Sequence, residues 1–402
     1  MPDGLLAFDQ KRQDCYPVCI IARPVRRNAC SAASTTALLL LIITSPVTGG
    51  ALDSALAMAG SNAKQLKLAL SRLPVEQRPA AEFLLENMPA VDLAQMPAST
   101  LEDNVSLAFR SRSLLPWGTR ISDDLFLHYV LPHRVTQEPL SDWRPMFFDS
   151  LYPLVRNCTS MTQAAMQVNI WTGRKATYKP NAPRDQGPLQ TLLSGWGRCE
   201  ELVILYACAC RAVGIPVREA YTPYWTAGES NHAWPEVWID GQWYPAHAFE
   251  AVDSLHFRFR KDTIRTAYVF AVSYGLPRNA EDVYRREPGC AVINVTRDYT
   301  PTGLLRVSVT RSGHAAGGVP VRVSVFNSGA LRPVARDTTR ADGSWSIATG
   351  VGEICVTAGS RADWCGAVAR VTAGETTEIH FDLDHPERLP AGFWLWYPLP
   401  KP

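Results

Sequence analysis

Cys199 is the residue of this chain best suited to chemistry. It closes the stretch Gly195-Trp196-Gly197-Arg198-Cys199 and is followed by Glu200, Glu201 and an apolar run leading to Arg211, Gly214, Ile215 and Pro216. Two glycines make a turn and the apolar run reads as a helix over 199–213. The thiol is therefore predicted at a helix start, where free backbone N–H groups and the helix dipole favour a thiolate. A thiolate is a nucleophile, and acyl chemistry also needs an acid–base partner. His232, in Asn231-His232-Ala233-Trp234-Pro235-Glu236-Val237-Trp238, is the candidate.

A hairpin must position that histidine. Residues 232–239 alternate in the strand period, Asp240-Gly241 is a two-residue turn, and 242–248 returns antiparallel. Paired residue numbers then sum to 481, so Trp238 opposes Trp243, Trp234 opposes His247 and His232 opposes Phe249. His232, Trp234, Glu236 and Trp238 share a face with Trp243, Pro245, His247 and Phe249, which places His247 diagonal to His232. Glu250 points to the other face unless the strand bends or ends near Ala248. Pro235 lacks a ladder donor and demands an edge position or a bulge. Cys208 and Cys210, two apart in a helix, put their sulfurs on different faces with no second Cys or His cluster, so no metal site and no cofactor are expected.

At 402 residues, 46% hydrophobic and 19% charged, the chain has room for two or three globular domains. Net charge is +2, and setting aside the five basic and three acidic residues of the first fifty leaves the remainder neutral. That argues against nucleic acid or an anionic membrane surface as the main partner. Arg23, Arg26 and Arg27 precede an apolar core at 37–43, then Pro46 and small residues at 48–51, the layout of a secretory signal. The run is too short for a stable membrane span. Export to a periplasmic or extracellular space is expected, and with it an oxidising compartment. Cys355 and Cys365 flank a predicted turn near Gly359 to Ala362 and are expected to form a disulfide.

The chain divides into a leader (1–50), a helical N-terminal region (51–144), a candidate core (145–299), a β-sandwich (300–384) and an aromatic, Pro-rich tail (385–402). Short amphipathic helices punctuated by Asn62 and Pro74 fill 51–88, a helix covers 161–171 and a loop 172–188. Beyond Pro301, short alternating stretches such as 305–310, 319–326, 344–348 and 354–358 are spaced by Gly, Asp and Asn turns. The tail's Phe393-Trp394-Leu395-Trp396-Tyr397 is expected to fold back over an apolar surface.

Gly197-Arg198-Cys199, then Arg211 with Gly214-Ile215-Pro216 and Arg218, then His232 to Trp238 and Trp243, resemble in order and spacing the transglutaminase-like superfamily. Its pattern reads G-x-C at a helix start, R-x-x-G-I-P-x-R at the helix end, then H-x-W-x-E-x-W and a second Trp. The resemblance implies an α+β, papain-like core in which a Cys–His pair carries acyl transfer or hydrolysis at an amide bond of a peptide, protein or peptidoglycan-like substrate. Hydrolysis is favoured over cross-linking, since nothing marks an acyl-acceptor channel and no acidic cluster suggests a calcium switch.

In that family the position four after the second Trp is Asp, which holds the histidine's other nitrogen. Here it is His247, which can orient His232 but offers no negative charge. Glu250 is the alternative source. The Cys199 backbone N–H suits an oxyanion, with Trp171 or Gln167 as side-chain donors, and Trp196, Trp234 and Trp238 as an aromatic wall. Residues 338–347 and 352–357 resemble the carboxypeptidase-regulatory, transthyretin-like module. The absent Asp leaves a second reading, a catalytically inactive binding or scaffold protein of the cell envelope.

Overall fold

Apolar residues at helical spacing, broken by proline and capping residues, account for the N-terminal half of the chain. The computed structural model describes residues 50–183, 185–226, 231–248, 266–280, 282–360, 363–389 and 395. The expected leader, Phe249, Glu250 and the aromatic tail apart from Leu395 lie outside the described residues. Helices α1 (Ala51–Met58), α2 (Ala63–Arg72), α3 (Arg78–Glu86), α4 (Ala90–Leu93) and α5 (Ala98–Leu114) form the first layer. Leu66 and Ala69 of α2, and Ala81, Leu84 and Leu85 of α3, turn inward.

Next come α6 (Asp123–Tyr129), α7 (Arg144–Val155) and α8 (Met161–Lys175). Ser122 and Ser160 cap α6 and α8 by accepting from Leu125 N and Gln163 N. Because α8 runs to Lys175, the loop expected from residue 172 begins later and contains a short strand, β1 (Thr177–Tyr178), followed by α9 (Pro188–Ser194). β1 pairs in parallel with β2 (Trp196–Gly197), immediately before α10 (Cys199–Ala212).

From Glu201 to Ala212 every residue of α10 is buried. Its C-terminal end explains the R-x-x-G-I-P motif. Gly214 takes φ +70°, which a side chain disfavours, and lets Ile215 N reach back to Cys210 O at 3.0 Å. The buried Arg211 guanidinium donates twice to Val217 O, at 3.2 and 2.9 Å, tying the helix end to the next strand.

That strand, β3 (Val217–Thr222), leads a six-stranded antiparallel sheet with β4 (His232–Ile239), β5 (Gln242–Pro245), β6 (Phe270–Tyr274), β7 (Val283–Glu287) and β8 (Cys290–Asn294), in the order β5-β4-β3-β6-β8-β7. One face packs Val217, Ala233, Val237 and Ile239 into the main core with α10. The other carries Ala220, Trp234, Val269, Ala271 and Tyr299 in a smaller cluster. Asp240 and Gly241 both have positive φ, as the expected two-residue turn requires. The pairs Ile239–Gln242, Trp238–Trp243, Val237–Tyr244 and Glu236–Pro245 keep the register sum of 481. Pro235 sits on an internal strand without a bulge. Its carbonyl accepts from Ala246 N at 2.9 Å, so its missing N–H faces the side on which β5 has just ended.

The C-terminal domain is all β. Strands β9 (Thr302–Arg311), β10 (His314–Ala315), β11 (Pro320–Asn327), β12 (Ala330–Thr338), β13 (Ser344–Gly350), β14 (Gly352–Ser360), β15 (Asp363–Val371) and β16 (Thr376–Asp382) build two four-stranded sheets. Alternating Leu305, Val307 and Val309 face Val321, Val323, Val325, Ile354 and Val356 in the core between them. The disulfide expectation fails on register. In the β14–β15 register Ser360 lies opposite Asp363, so Cys355 faces Val368 and Cys365 faces Ala358. An offset of three residues puts the two sulfurs on opposite faces of the sheet, and both are free thiols. Among the described residues no helix is long and apolar enough to cross a membrane.

Candidate active site

Cys199 occupies the first turn of α10, after Arg198 in an extended conformation. Glu201 fixes this start. Its carboxylate accepts from Arg198 N at 2.9 Å, from the Arg198 guanidinium at 2.6 Å and from Asp185 N at 3.0 Å. The glycines have separate reasons. Gly195 ends α9 in the left-handed region, and a Cβ on Gly197 would come within 2.9 Å of Glu201 Cβ. As a first-turn residue, Cys199 has a backbone N–H without an intrahelical acceptor.

The fold carries this thiol to the His232 end of β4. The backbone N–H groups of Ala233, next to His232, and of Glu200 both point at the Cys199 sulfur and favour its thiolate. They do not win. Burial pushes the thiol up, and the carboxylates of Glu200 and Glu219 push it further the same way. The helix start thus places the thiol as the sequence suggests, while its surroundings oppose the ionisation expected there.

Those surroundings are acidic. Glu200 is raised to about 7, chiefly by burial and then by the charge of Glu201, while Gln137 Nε2 donates to its Oε1 at 2.7 Å. Glu219, on the α10 side of β3 and 1% exposed, is shifted well above the usual carboxylate range by burial and by Glu200, Glu138 and Glu201. Its Oε2 and the nearby Thr136 hydroxyl are both buried without a well-formed hydrogen bond. Neither Glu200 nor Glu219 was singled out in the sequence, because burial of a carboxylate leaves no local signature.

His232 is the first residue of β4, opposite Thr222 on β3. Its ring lies 5.7 Å from that of Trp234 and 6.5 Å from that of Trp225, tilted by 32° and 34°. Trp225 and Trp234 stack at 6.1 Å and 8°. The rest of the H-x-W-x-E-x-W face is scaffold. Trp234 Nε1 donates to Tyr299 Oη at 2.8 Å, that hydroxyl donates to Glu236 Oε1 at 2.5 Å, and Glu236 pairs with Arg218 Nε at 2.5 Å. Arg218 in turn lies over the Trp243 ring at 4.2 Å. Tyr299 is the member that motif spacing misses.

The remaining candidates separate. His247 is half-buried just past β5, and its carbonyl accepts from the buried Asn169 of α8 at 2.5 Å. Glu250 lies outside the described residues. Gln167 is exposed on α8, and Trp171 packs its ring edge-on to Phe147 at 5.7 Å as part of the core. Asn169 is thus an α8 side chain that reaches the segment just past β5. Trp196 is 41% exposed, with Lys179 Nζ 4.0 Å above its ring, and Tyr178 pairs with Gly197, its phenol raised first by burial and then by Cys199. Trp196 and Tyr178 make an open aromatic rim beside the thiol. Cys208 and Cys210 are fully buried in the core. A cavity of about 540 Å³ lined by Tyr129, Arg218, Trp243 and Arg297 includes neither Cys199 nor His232.

Residues 151–248 match the family model of the Transglutaminase-like superfamily. That span contains Cys199, His232 and His247, and the core is transglutaminase-like. Among solved structures, a candidate cysteine protease from Cytophaga hutchinsonii is similar at 12% identity and TM-score 0.28, over 72% of this chain and 67% of that one. A candidate protease from Parabacteroides distasonis gives 11% and 0.26, over 56% and 36%. Red sea bream transglutaminase gives 10% and 0.26, over 68% and 59%. At these scores the likenesses carry no further argument. A search of curated proteins gives no match.

Proposed function

We propose that this chain is a thiol-dependent hydrolase or acyltransferase acting at an amide bond, with Cys199 as nucleophile and His232 as acid and base. The observation that carries the reading is the position of the Cys199 sulfur against the backbone of Ala233, the residue after His232. In the proposed cycle the Cys199 proton passes to the His232 imidazole and the thiolate attacks the amide carbonyl carbon. The resulting oxyanion is held by the Cys199 N–H. Collapse breaks the C–N bond, His232 returns its proton to the leaving amine, and water or a second amine resolves the thioester. His247 or Glu250 orients His232.

The substrate is a peptide, protein or peptidoglycan-like amide outside the cytoplasm, reached after loss of the leader, and neither nucleic acid nor a membrane span takes part. A non-catalytic scaffold remains the second reading, favoured by one observation: burial and two neighbouring carboxylates raise the thiol instead of lowering it.

Carbamidomethylation of Cys199 by iodoacetamide, followed by peptide mass between about pH 5 and 10, separates the two. A Cys–His pair predicts reaction near neutrality that slows about tenfold or more in His232→Ala. Equal pH profiles for the wild type and His232→Ala would sink the enzyme reading. Parallel profiles of His247→Ala and Glu250→Ala identify the orienting group.

A further inference from the structure

The β-sandwich touches the candidate site, and the contact is built from both sides. β11 and β12 are joined by a two-residue turn, Ser328 and Gly329, both at positive φ. Just before the turn, Asn327 is 2% exposed, and its Nδ2 donates to the Trp225 carbonyl at 2.8 Å. Its Oδ1 accepts from the Ser328 hydroxyl at 3.0 Å, and since a carbonyl can only accept, the amide orientation is fixed. Next to this bond the Arg332 guanidinium lies 5.7 Å from the Tyr224 ring centroid.

The sandwich is also docked firmly enough for that bond to hold a position. Tyr284 Oη donates to Arg336 O and accepts from Arg336 N, each at 2.8 Å. Asn294 Nδ2 donates to Ala348 O at 2.8 Å, and Gly350 N to Ala267 O at 2.9 Å. At Gly350 the backbones approach so closely that a Cβ would sit 2.0 Å from Thr266 O.

Trp225 lies between β3 and β4, outside both strands, so no sheet ladder fixes its ring. That ring nevertheless stacks on Trp234 and flanks His232. We propose that the sandwich is a working part of the site, in which Asn327 is a positioning residue that holds the Trp225 segment and thereby limits the orientations open to the His232 ring. The proposal rests on His232 being the acid–base group, and it gives the C-terminal domain a part in the site. A backbone carbonyl is a sound anchor for this purpose, since its position does not depend on the rotamer of Trp225.

Asn327→Asp tests this in the full chain, because it keeps the shape and replaces the donor with an acceptor. The first readout is the His232 imidazole in ¹⁵N-histidine NMR, which reports ring environment and titration without assuming catalysis. The second is the pH profile of Cys199 alkylation by iodoacetamide. We expect a moved His232 signal and alkylation at neutral pH slowed about two- to tenfold, the range given by one lost hydrogen bond. Trp225→Ala should do the same more strongly, and Trp225→Phe should recover part of it by restoring a ring.

An unmoved His232 signal in folded Asn327→Asp would overturn the proposal, as would an unmoved signal in Trp225→Ala, even if either change lowers the melting temperature. If Asn327→Asp fails to fold, the Trp225 pair decides by the same readouts. A His232 signal that moves while His232→Ala leaves alkylation unchanged supports the contact and instead defeats the catalytic reading.

Discussion

Replacing Glu200 by Gln should stabilise this protein by an amount that depends on pH. The Glu200 side chain is 19% exposed, one residue beyond the thiol, and burial together with the charge of Glu201 raises it from 4.5 to about 7. The Arg198 guanidinium opposes this only from 3.9 Å. The folded state therefore binds this proton more tightly than the unfolded chain does, and stability falls as pH rises through the window from about 4.5 to 7. That difference corresponds to about 3 kcal/mol when the window has been fully crossed.

Gln has the same shape, stays neutral and can still accept from Gln137, so it removes the penalty with little else changed. Urea unfolding of wild type and Glu200→Gln at about pH 4 should agree within about 0.5 kcal/mol, whereas at about pH 8.5 the variant should be more stable by up to about 3 kcal/mol. A difference that is the same at both pH values refutes the reasoning. So does a variant less stable at the higher pH, because the carboxylate would then be a favourable partner of Arg198.

Glu219→Gln should move the pH midpoint of Cys199 alkylation downward, since its carboxylate raises the thiol; an unmoved midpoint would refute the part assigned to that charge. Tyr299→Phe deletes the hydroxyl between Trp234 and Glu236, strands two buried polar groups, and should cost about 2–4 kcal/mol by urea unfolding. A loss below about 0.5 kcal/mol would show that the bridge is not maintained in solution. Non-reducing peptide mapping should find Cys355 and Cys365 as two free thiols, and a bridged peptide would mean that the β14–β15 register differs from the one described.

The helix that begins at Cys199, the hairpin turn at Asp240-Gly241 and its register, and the alternation that builds the sandwich were all legible in the sequence. Each depends on neighbours within a few residues: a turn that accepts positive φ, an apolar period of 2 or 3.6, a glycine where backbones crowd. The same local logic failed at Cys355 and Cys365, where placing the turn loosely instead of between Ser360 and Asp363 changes the face on which a side chain emerges. Periodicity constrains which residues face inward, but a register is fixed only by the turn.

Tertiary structure alone decided what surrounds the thiol. Glu219 comes under Cys199 because β3 packs beneath α10, and Tyr299 completes the Trp234–Glu236 chain from more than sixty residues away. Asn327 reaches Trp225 across 102 positions. Electrostatics and buried hydrogen bonds depend on distance and desolvation in the folded chain, quantities that sequence spacing does not encode. The candidate thiol, the candidate histidine and their order are therefore properties of the sequence, whereas the ionisation of the thiol and the surroundings of the His232 ring are properties of the packed fold.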